Sequence, residues 1–208
     1  MNNKMIASIM IGGQSKRMGG GIKSLQEFND KNIFDRILEK ISPEIEKIII
    51  NCNSEEKKFT KYKLPIFNDL KKGYLGPLAG IHSAMKWIID FSPEVKWLIT
   101  LPGDTPFIPI DLVAQFRKKI SKNLKIVLVQ SNKKTHPSIG LWNTHLFNSL
   151  DNALNSGTRK ILNWAELHSI DYLNYEYEKY DPFFNINTKE DLKKAAVIEK
   201  KFFKKIIE

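Results

Sequence analysis

Short apolar runs alternate along the chain with segments whose apolar residues recur every three or four positions. The runs predict strands over 5–11, 47–51, 63–67, 96–101, 124–130 and 137–142, and the helical periodicity predicts helices over 33–41, 78–89 and 111–120. Several runs, such as Ile48-Ile49-Ile50 and Ile126-Val127-Leu128-Val129, are apolar at every position rather than at every second one. Strands of that kind are buried on both faces, which predicts an α/β fold: a Rossmann-like three-layer αβα sandwich around a mostly parallel central sheet.

Beyond residue 143 the pattern predicts helices over 144–155 and 158–168, a strand over 170–175 and a polar, tyrosine-rich loop at 176–180. The last helix is predicted to begin at Asn187-Thr188, where a hydroxyl three residues before Asp191 forms a capping box, and to run to Ile207. Its apolar positions are Leu192, Ala195, Ala196, Ile198, Phe202, Phe203 and Ile206. No internal repeat or low-complexity linker interrupts the chain, so residues 1–208 are expected to form one domain.

Composition narrows the function. At 208 residues, 42% hydrophobic and 11% aromatic, the chain can bury a core, which excludes a disordered segment or a disulfide-stapled miniprotein. The formal charge of +10 raises two possibilities, a nucleic-acid binder or an enzyme with anionic substrates. Nearly all of that charge is lysine; the arginines are Arg17, Arg36, Arg117 and Arg159. Base-edge readout favours arginine, so sequence-specific DNA binding fits poorly, and a soluble basic surface accounts for much of the excess. The one cysteine, Cys52, has no internal disulfide partner, which fits a reducing cytoplasm. No apolar run approaches the roughly 20 residues of a membrane span, and the 5–11 run lacks the cleavage flank of a signal peptide.

The candidate chemistry begins directly after the first strand. Five of the eleven glycines (Gly12, Gly13, Gly19, Gly20, Gly21) share a short loop with Lys16, Arg17 and Lys23. Glycines let backbone N–H groups approach an anion, and the cations suit a triphosphate; a flexible surface loop is the competing reading. The loop is neither a Walker A motif nor a G-x-G-x-x-G fingerprint. After the 96–101 strand, Pro102-Gly-Asp104-Thr-Pro106 delivers a carboxylate that either holds Mg²⁺ or serves only as a turn residue. Asp69 likewise ends a strand, so its carboxylate faces the same crevice or is simply a loop residue, and Asn51, at a strand end, can cap the segment starting at Ser54. Gly76-Pro-Leu-Ala-Gly80 opens a helix, with Pro77 suited to its first turn. His136 either starts a strand or meets a substrate, and Asn185 and Asn187 precede the last helix, where one can act as a cap.

The run Met10-Ile-Gly-Gly-Gln-Ser-Lys-Arg-Met-Gly-Gly-Gly-Ile-Lys23 resembles the signature loop of sugar-nucleotide-type nucleotidyltransferases. Asn51-Cys-Asn53, Asn68-Asp69, Gly76-Pro-Leu-Ala-Gly-Ile81, Leu101-Pro-Gly-Asp-Thr-Pro106, His136-Pro-Ser-Ile-Gly-Leu-Trp142 and Asn185-Ile-Asn-Thr188 narrow the resemblance to the molybdenum cofactor guanylyltransferases, over essentially the whole chain. The resemblance implies a nucleotide-diphospho-sugar transferase type of fold. It also implies a nucleotide-binding half at 1–130 and an acceptor-binding half at 131–208. Nucleotide binding is expected at Met10, Ile11, Gly12, Gly13, Lys23, Asn51, Asp69, Gly80 and Asp104, and acceptor binding at His136, Asn185 and Asn187. Arg17, Lys23 and Asp104 are expected to be catalytic, with Asp104 holding Mg²⁺. Three positions depart from the family pattern: Ile22 stands for an aspartate, Ile11 for an alanine and Gly103 for a cysteine.

The expected reaction moves GMP from GTP onto the phosphate of molybdenum-carrying molybdopterin and releases pyrophosphate. The attacking phosphate is already anionic, so no general base is required of His136. The expected partners are these two substrates and, transiently, cofactor-assembly proteins or recipient molybdoenzymes, with no nucleic acid and no membrane. A related cytidylyltransferase or sugar-phosphate nucleotidyltransferase, a nucleic-acid-binding domain and a catalytically inert nucleotide-binding adaptor are the competing readings.

Overall fold

The computed structural model describes residues 4–12, 21–73 and 75–203. β1 (Met5–Ile11) is followed by a 3-10 turn at Lys23–Leu25 and a small ribbon of β2 (Glu27–Phe28) against β3 (Lys31–Asn32). α1 (Ile33–Ile41) leaves β3 directly, because the Asn32 side chain accepts from the Asp35 N–H at 2.8 Å and caps the helix. Then come β4 (Lys47–Cys52), a 3-10 stretch (Glu56–Tyr62), β5 (Ile66–Phe67), α2 (Pro77–Phe91), β6 (Trp97–Pro102) and α3 (Leu112–Lys119). The remaining elements are β7 (Ile126–Ser131), β8 (Lys134–Asn143), α4 (Phe147–Asn155), α5 (Ile161–Ala165), β9 (Ile170–Tyr175) and α6 (Lys189–Phe202).

Seven strands form one sheet in the order β5-β4-β1-β6-β8-β7-β9. β8 runs antiparallel to β6 and β7, and every other neighbouring pair is parallel. The expected mostly parallel sheet is therefore present. The reversed strand follows from the tight β7–β8 turn, where Asn132 and Lys133 take φ of 44° and 67°, the left-handed pair that suits a two-residue hairpin.

Alternate residues of the sheet feed two cores. Ala7 and Ile9 of β1, Ile48 and Ile50 of β4, and Ile99 and Leu101 of β6 pack with α1 and α3, and Ala195 of α6 joins them. Ile6, Ile49 and Leu98 face the other way, against α2, α4 and α5, with Trp142 and Trp164 fully buried there. The sandwich is thus three layers, as the doubly apolar runs predict.

Several boundaries differ from those expected. The 63–67 strand shrinks to β5, because Lys63 is left-handed at φ 54° and Pro65 has no N–H; its carbonyl still accepts from Ile50 N at 2.8 Å. The helix expected over 158–168 is only α5: Gly157 sits at φ 89° and Lys160 is extended, so no helix starts before Ile161. β8 is longer than expected and carries an irregularity, with Leu128 opposite Gly140 but Val129 opposite His136. Pro137 occupies the unpaired stretch, where a missing donor costs nothing. The final helix is described to Phe202, and Ile206 lies outside the described residues.

The strand order places the site. From β1 the chain steps to β4 and β5 on one side, then α2 carries it back to β6 on the other. A crevice opens at such a switch point, beyond the carboxyl ends of the strands.

Candidate active site

A cleft of about 610 Å³ occupies that position. Met10, Ile11 and Gly12 reach it from the end of β1, Lys23 from the 3-10 turn, Asn51 from β4, Asn53 from just past its end, and Asp69 from beyond β5. Gly76 and Gly80 line it from the start of α2, and Gly103, Asp104 and Asn185 close it on the β6 side. These include most of the nucleotide-site residues singled out in the sequence. Gly13, Lys16 and Arg17 lie outside the described residues.

Three segments far apart in sequence meet at one ammonium group. Lys23 Nζ donates to Asp104 Oδ2 at 2.9 Å and to Asn187 Oδ1 at 2.8 Å. Both charged side chains are less than one-fifth exposed, at 17% and 19%. One anionic and one neutral oxygen thus converge on a single cation, and oxygens of this hard type could hold Mg²⁺. Among the described residues no group of three or more His, Cys, Asp or Glu forms a self-sufficient metal cluster.

Asn187 is delivered by the predicted capping box. Thr188 Oγ1 accepts from Asp191 N at 3.1 Å, while Asp191 Oδ2 accepts from the N–H groups of both Thr188 and Asn187 at 3.0 Å. The same segment is pinned to the Asp104 turn. Ile186 N donates to Asp104 O at 2.9 Å, and the buried Thr105 hydroxyl donates to Asn185 Oδ1 at 2.7 Å. Farther along α6, Glu199 pairs with Arg36 of α1, and Asn29 of the β2–β3 turn donates to Ala196 O at 3.3 Å. The ribbon and α1 thus fix the helix that presents Asn187.

At the opposite end of the cleft, two amides hold a carboxylate. Asn51 Nδ2 donates to Asp69 Oδ1 at 3.0 Å and Asn53 Nδ2 to Asp69 Oδ2 at 2.7 Å, while Asp69 N donates back to Asn53 Oδ1 at 2.7 Å. Asn51 is therefore bonded to Asp69 rather than capping the Ser54 segment. Leu70 N, next in the chain, is held by the Ser83 hydroxyl of α2 at 2.9 Å. Helix α2 begins with Gly76 at φ 78° as N-cap and Pro77 in the first turn. Gly80 lets it lie close to β4, since a Cβ there would stand 2.8 Å from Asn51 Oδ1.

The structure does not bring His136 to the cleft lining. Its imidazole is buried, with Nε2 2.6 Å from Ser131 Oγ and 3.9 Å from Asp181 Oδ2, and it tilts against Phe183 at 5.2 Å. Desolvation holds its pKa below the ordinary imidazole range, against the pull of Asp181. Ser131 Oγ also donates to Asp181 at 3.0 Å, so this cluster ties the β7–β8 hairpin to the segment leading to Asn185. The residue of the His136-Pro-Ser segment that lines the cleft is Ser138, on the irregular stretch of β8; its carbonyl accepts from Thr100 Oγ1 at 3.0 Å.

Among the polar lining residues absent from the sequence-derived site are Asn53 and Ser138. Asn53 lies two residues beyond Asn51, a spacing that puts both on one face of an extended segment, and that periodicity was a usable signal. For Ser138 the signal was Pro137 inside an apolar run, which marks a bulge.

Comparison with known proteins gives this architecture a family. Residues 7–170 match the model of the MobA-like NTP transferase domain. A molybdenum cofactor guanylyltransferase from Mesorhizobium japonicum is 34% identical over 201 residues, covering 94% of this chain and 96% of that protein. One from Rhodopseudomonas palustris is 31% identical, covering 92% of each. Among solved structures, molybdopterin-guanine dinucleotide biosynthesis protein A from Archaeoglobus fulgidus superposes with a TM-score of 0.73 at 27% identity, covering 95% of this chain and all (100%) of that one. A 4-diphosphocytidyl-2C-methyl-D-erythritolsynthase from Anaerococcus prevotii, covering 95% of this chain and 96% of its own, has a TM-score of 0.72 at 16% identity and shares the fold. The chain belongs to the molybdenum cofactor guanylyltransferases, within the MobA-like NTP transferase family.

Proposed function

We propose that the protein transfers GMP from GTP to the terminal phosphate of molybdenum-carrying molybdopterin. The observation that carries this reading is the cleft lined by the Met10–Gly12 backbone, Lys23 and Asp104, with Asn187 bonded to the Lys23 ammonium. In the transfer, an acceptor phosphate oxygen bonds to the α-phosphorus while the bond from that phosphorus to the bridging oxygen breaks, and pyrophosphate leaves with the electron pair. Two polyanions must approach each other, so the chain's task is to position them and neutralise charge. The Met10–Gly12 backbone receives the nucleotide and Lys23 neutralises its phosphates, with Gly13, Lys16 and Arg17 assigned to the same task from sequence. The Asp69 carboxylate, which lines the cleft and is fixed by Asn51 and Asn53, suits the donor edge of a guanine.

The residues fit Mg²⁺, which Asp104 would hold as a carboxylate ligand. When bound, it supplies charge stabilisation for the α-phosphate and the departing pyrophosphate. The acceptor phosphate is assigned to Asn185, which lines the cleft, and to Asn187, which is bonded to Lys23. His136 contributes by anchoring Asp181 and so the segment that carries both asparagines.

The test is thermal protection by each of the four nucleoside triphosphates with Mg²⁺, followed by pyrophosphate release in the presence of molybdenum-loaded molybdopterin. GTP is expected to protect most, and preference for CTP would overturn the guanylyl assignment. Asp104→Ala is expected to abolish transfer while leaving circular dichroism intact; near-normal turnover in that variant would refute the metal assignment.

A further inference from the structure

The floor of the cleft is a packing contact between residues that carry no chemistry themselves. β1 and β6 run parallel there, with Met10 opposite Pro102, and one residue later Gly103 N donates to Met10 O at 3.0 Å. Gly103 is not among the positive-φ glycines, so its backbone conformation is open to any residue. What opposes a side chain there is space. A Cβ on Gly103 would stand 2.7 Å from Ile11 Cδ1, 3.3 Å from Met10 O and 3.3 Å from Ser24 Cβ. The volume that residue 103 leaves empty is thus filled from the neighbouring strand by Ile11.

Each segment at this contact carries a functional neighbour. Ile11 lies within the Met10–Gly12 backbone, Ser24 follows Lys23, and Gly103 precedes Asp104. A displacement of a few tenths of an ångström here therefore changes the spacing among the nucleotide-facing backbone, the lysine and the carboxylate together. The 2.7 Å contact is to the end of the Ile11 side chain, which must turn or shift. The two at 3.3 Å are to a backbone oxygen and a Cβ, which yield only through a main-chain movement of a few tenths of an ångström.

We propose that Ile11 and Gly103 are a volume-matched pair of positioning residues, and that their fit sets the separation between the nucleotide-binding backbone and the Lys23–Asp104 pair. What the spacing serves rests on the guanylyltransferase reading; the packing itself does not. Filling position 103 without emptying position 11 drives the strand ends apart, and emptying 11 alone leaves a void. Ile11→Ala with Gly103→Cys removes three heavy atoms and restores two, and so rebuilds the floor.

The experiment is a double-mutant cycle on the full chain, using Gly103→Cys, Ile11→Ala and the combination, with Gly103→Ala and Ile11→Val as milder members. Each variant is followed by its melting temperature without ligand, by calorimetric binding of Mg²⁺–GTP, and by kcat and KM for transfer. The expected result is a loss of tenfold or more in kcat/KM for Gly103→Cys, with kcat falling more than KM rises, because misplaced reacting groups cost rate more than binding. The double variant is expected to return to within about threefold of the wild type, and to melt above both single variants. Effects that simply multiply in the double variant, in melting and in kcat alike, would overturn the proposal. If the wild type bound no GTP, the guanylyl reading would fail, while the ligand-free melting cycle would still decide the pairing.

Discussion

Gly80→Ala sets two calculable effects against each other. Gly80 lies in the first turns of α2, where replacing glycine by alanine favours the helix by about 1 kcal/mol. The added Cβ would stand 2.8 Å from Asn51 Oδ1 and 3.3 Å from Met10 Sδ. The thioether can yield, because methionine has several soft torsions. Asn51 cannot yield cheaply: it is 5% exposed, and its amide nitrogen donates to Asp69 at 3.0 Å. Turning the amide to relieve the clash forfeits a hydrogen bond to a carboxylate, on the order of 1.5–3 kcal/mol. The net expectation is a destabilisation of about 0.5–2 kcal/mol, or a melting temperature lower by roughly 2–6 °C for a chain of this size. Because the disturbed group is the Asp69 clamp, GTP affinity should fall about tenfold, which equals ~1.4 kcal/mol. Thermal melts with and without Mg²⁺–GTP, together with calorimetry, measure both terms. A variant that melts higher than wild type and binds GTP equally well would show that Asn51 is not held as argued.

Lys133→Gly should stabilise the fold by about 0.5–1 kcal/mol, since a left-handed conformation strains a side-chain-bearing residue, and unchanged urea midpoints would refute this. The pH response has a defined sign. Burial holds the buried His82 and His136 below the ordinary imidazole value of 6.5, so the unfolded chain takes up protons that the folded chain refuses. Their contribution is therefore intact above about pH 6.5 and is lost as the pH falls below it. Melting temperature should drop between pH 7.5 and 5.5, and His82→Gln should flatten that slope; an identical slope would refute the assignment.

Much of the fold was legible in the hydrophobic pattern because two-sided burial leaves unbroken apolar runs. The bounds of β1, α1 and β9 agree with the expected ones to the residue. The β2–β3 ribbon was not legible: two residues per strand, Glu27-Phe28 and Lys31-Asn32, are too few to show a period. The direction of β8 was hidden for a different reason, since an Asn-Lys turn lacks the glycine that usually signals a tight hairpin. The candidate site was legible wherever chemistry ends a strand, as at Met10–Gly12, Asn51 and Asp104. Contacts made across the fold were not, including the placement of Asn187 on the Lys23 ammonium and the occupation of Gly103's space by Ile11. The sequence presents Ile11 and Gly103 as two separate departures from the family pattern; in space they are one exchange of volume.

The Lys23–Asn187 contact spans 164 positions of sequence, and Asn187 follows the last strand of the sheet. During synthesis every strand of the sheet is polymerised before the residue that completes the ammonium's partners is added. A chain cut short after Tyr175 keeps all the sheet's strands, Lys23 and Asp104, but lacks Asn185, Asn187 and the helix that orients them. Completion of the site therefore waits on the segment beyond β9, and a product terminated before that segment leaves the Lys23 ammonium with Asp104 but without Asn187.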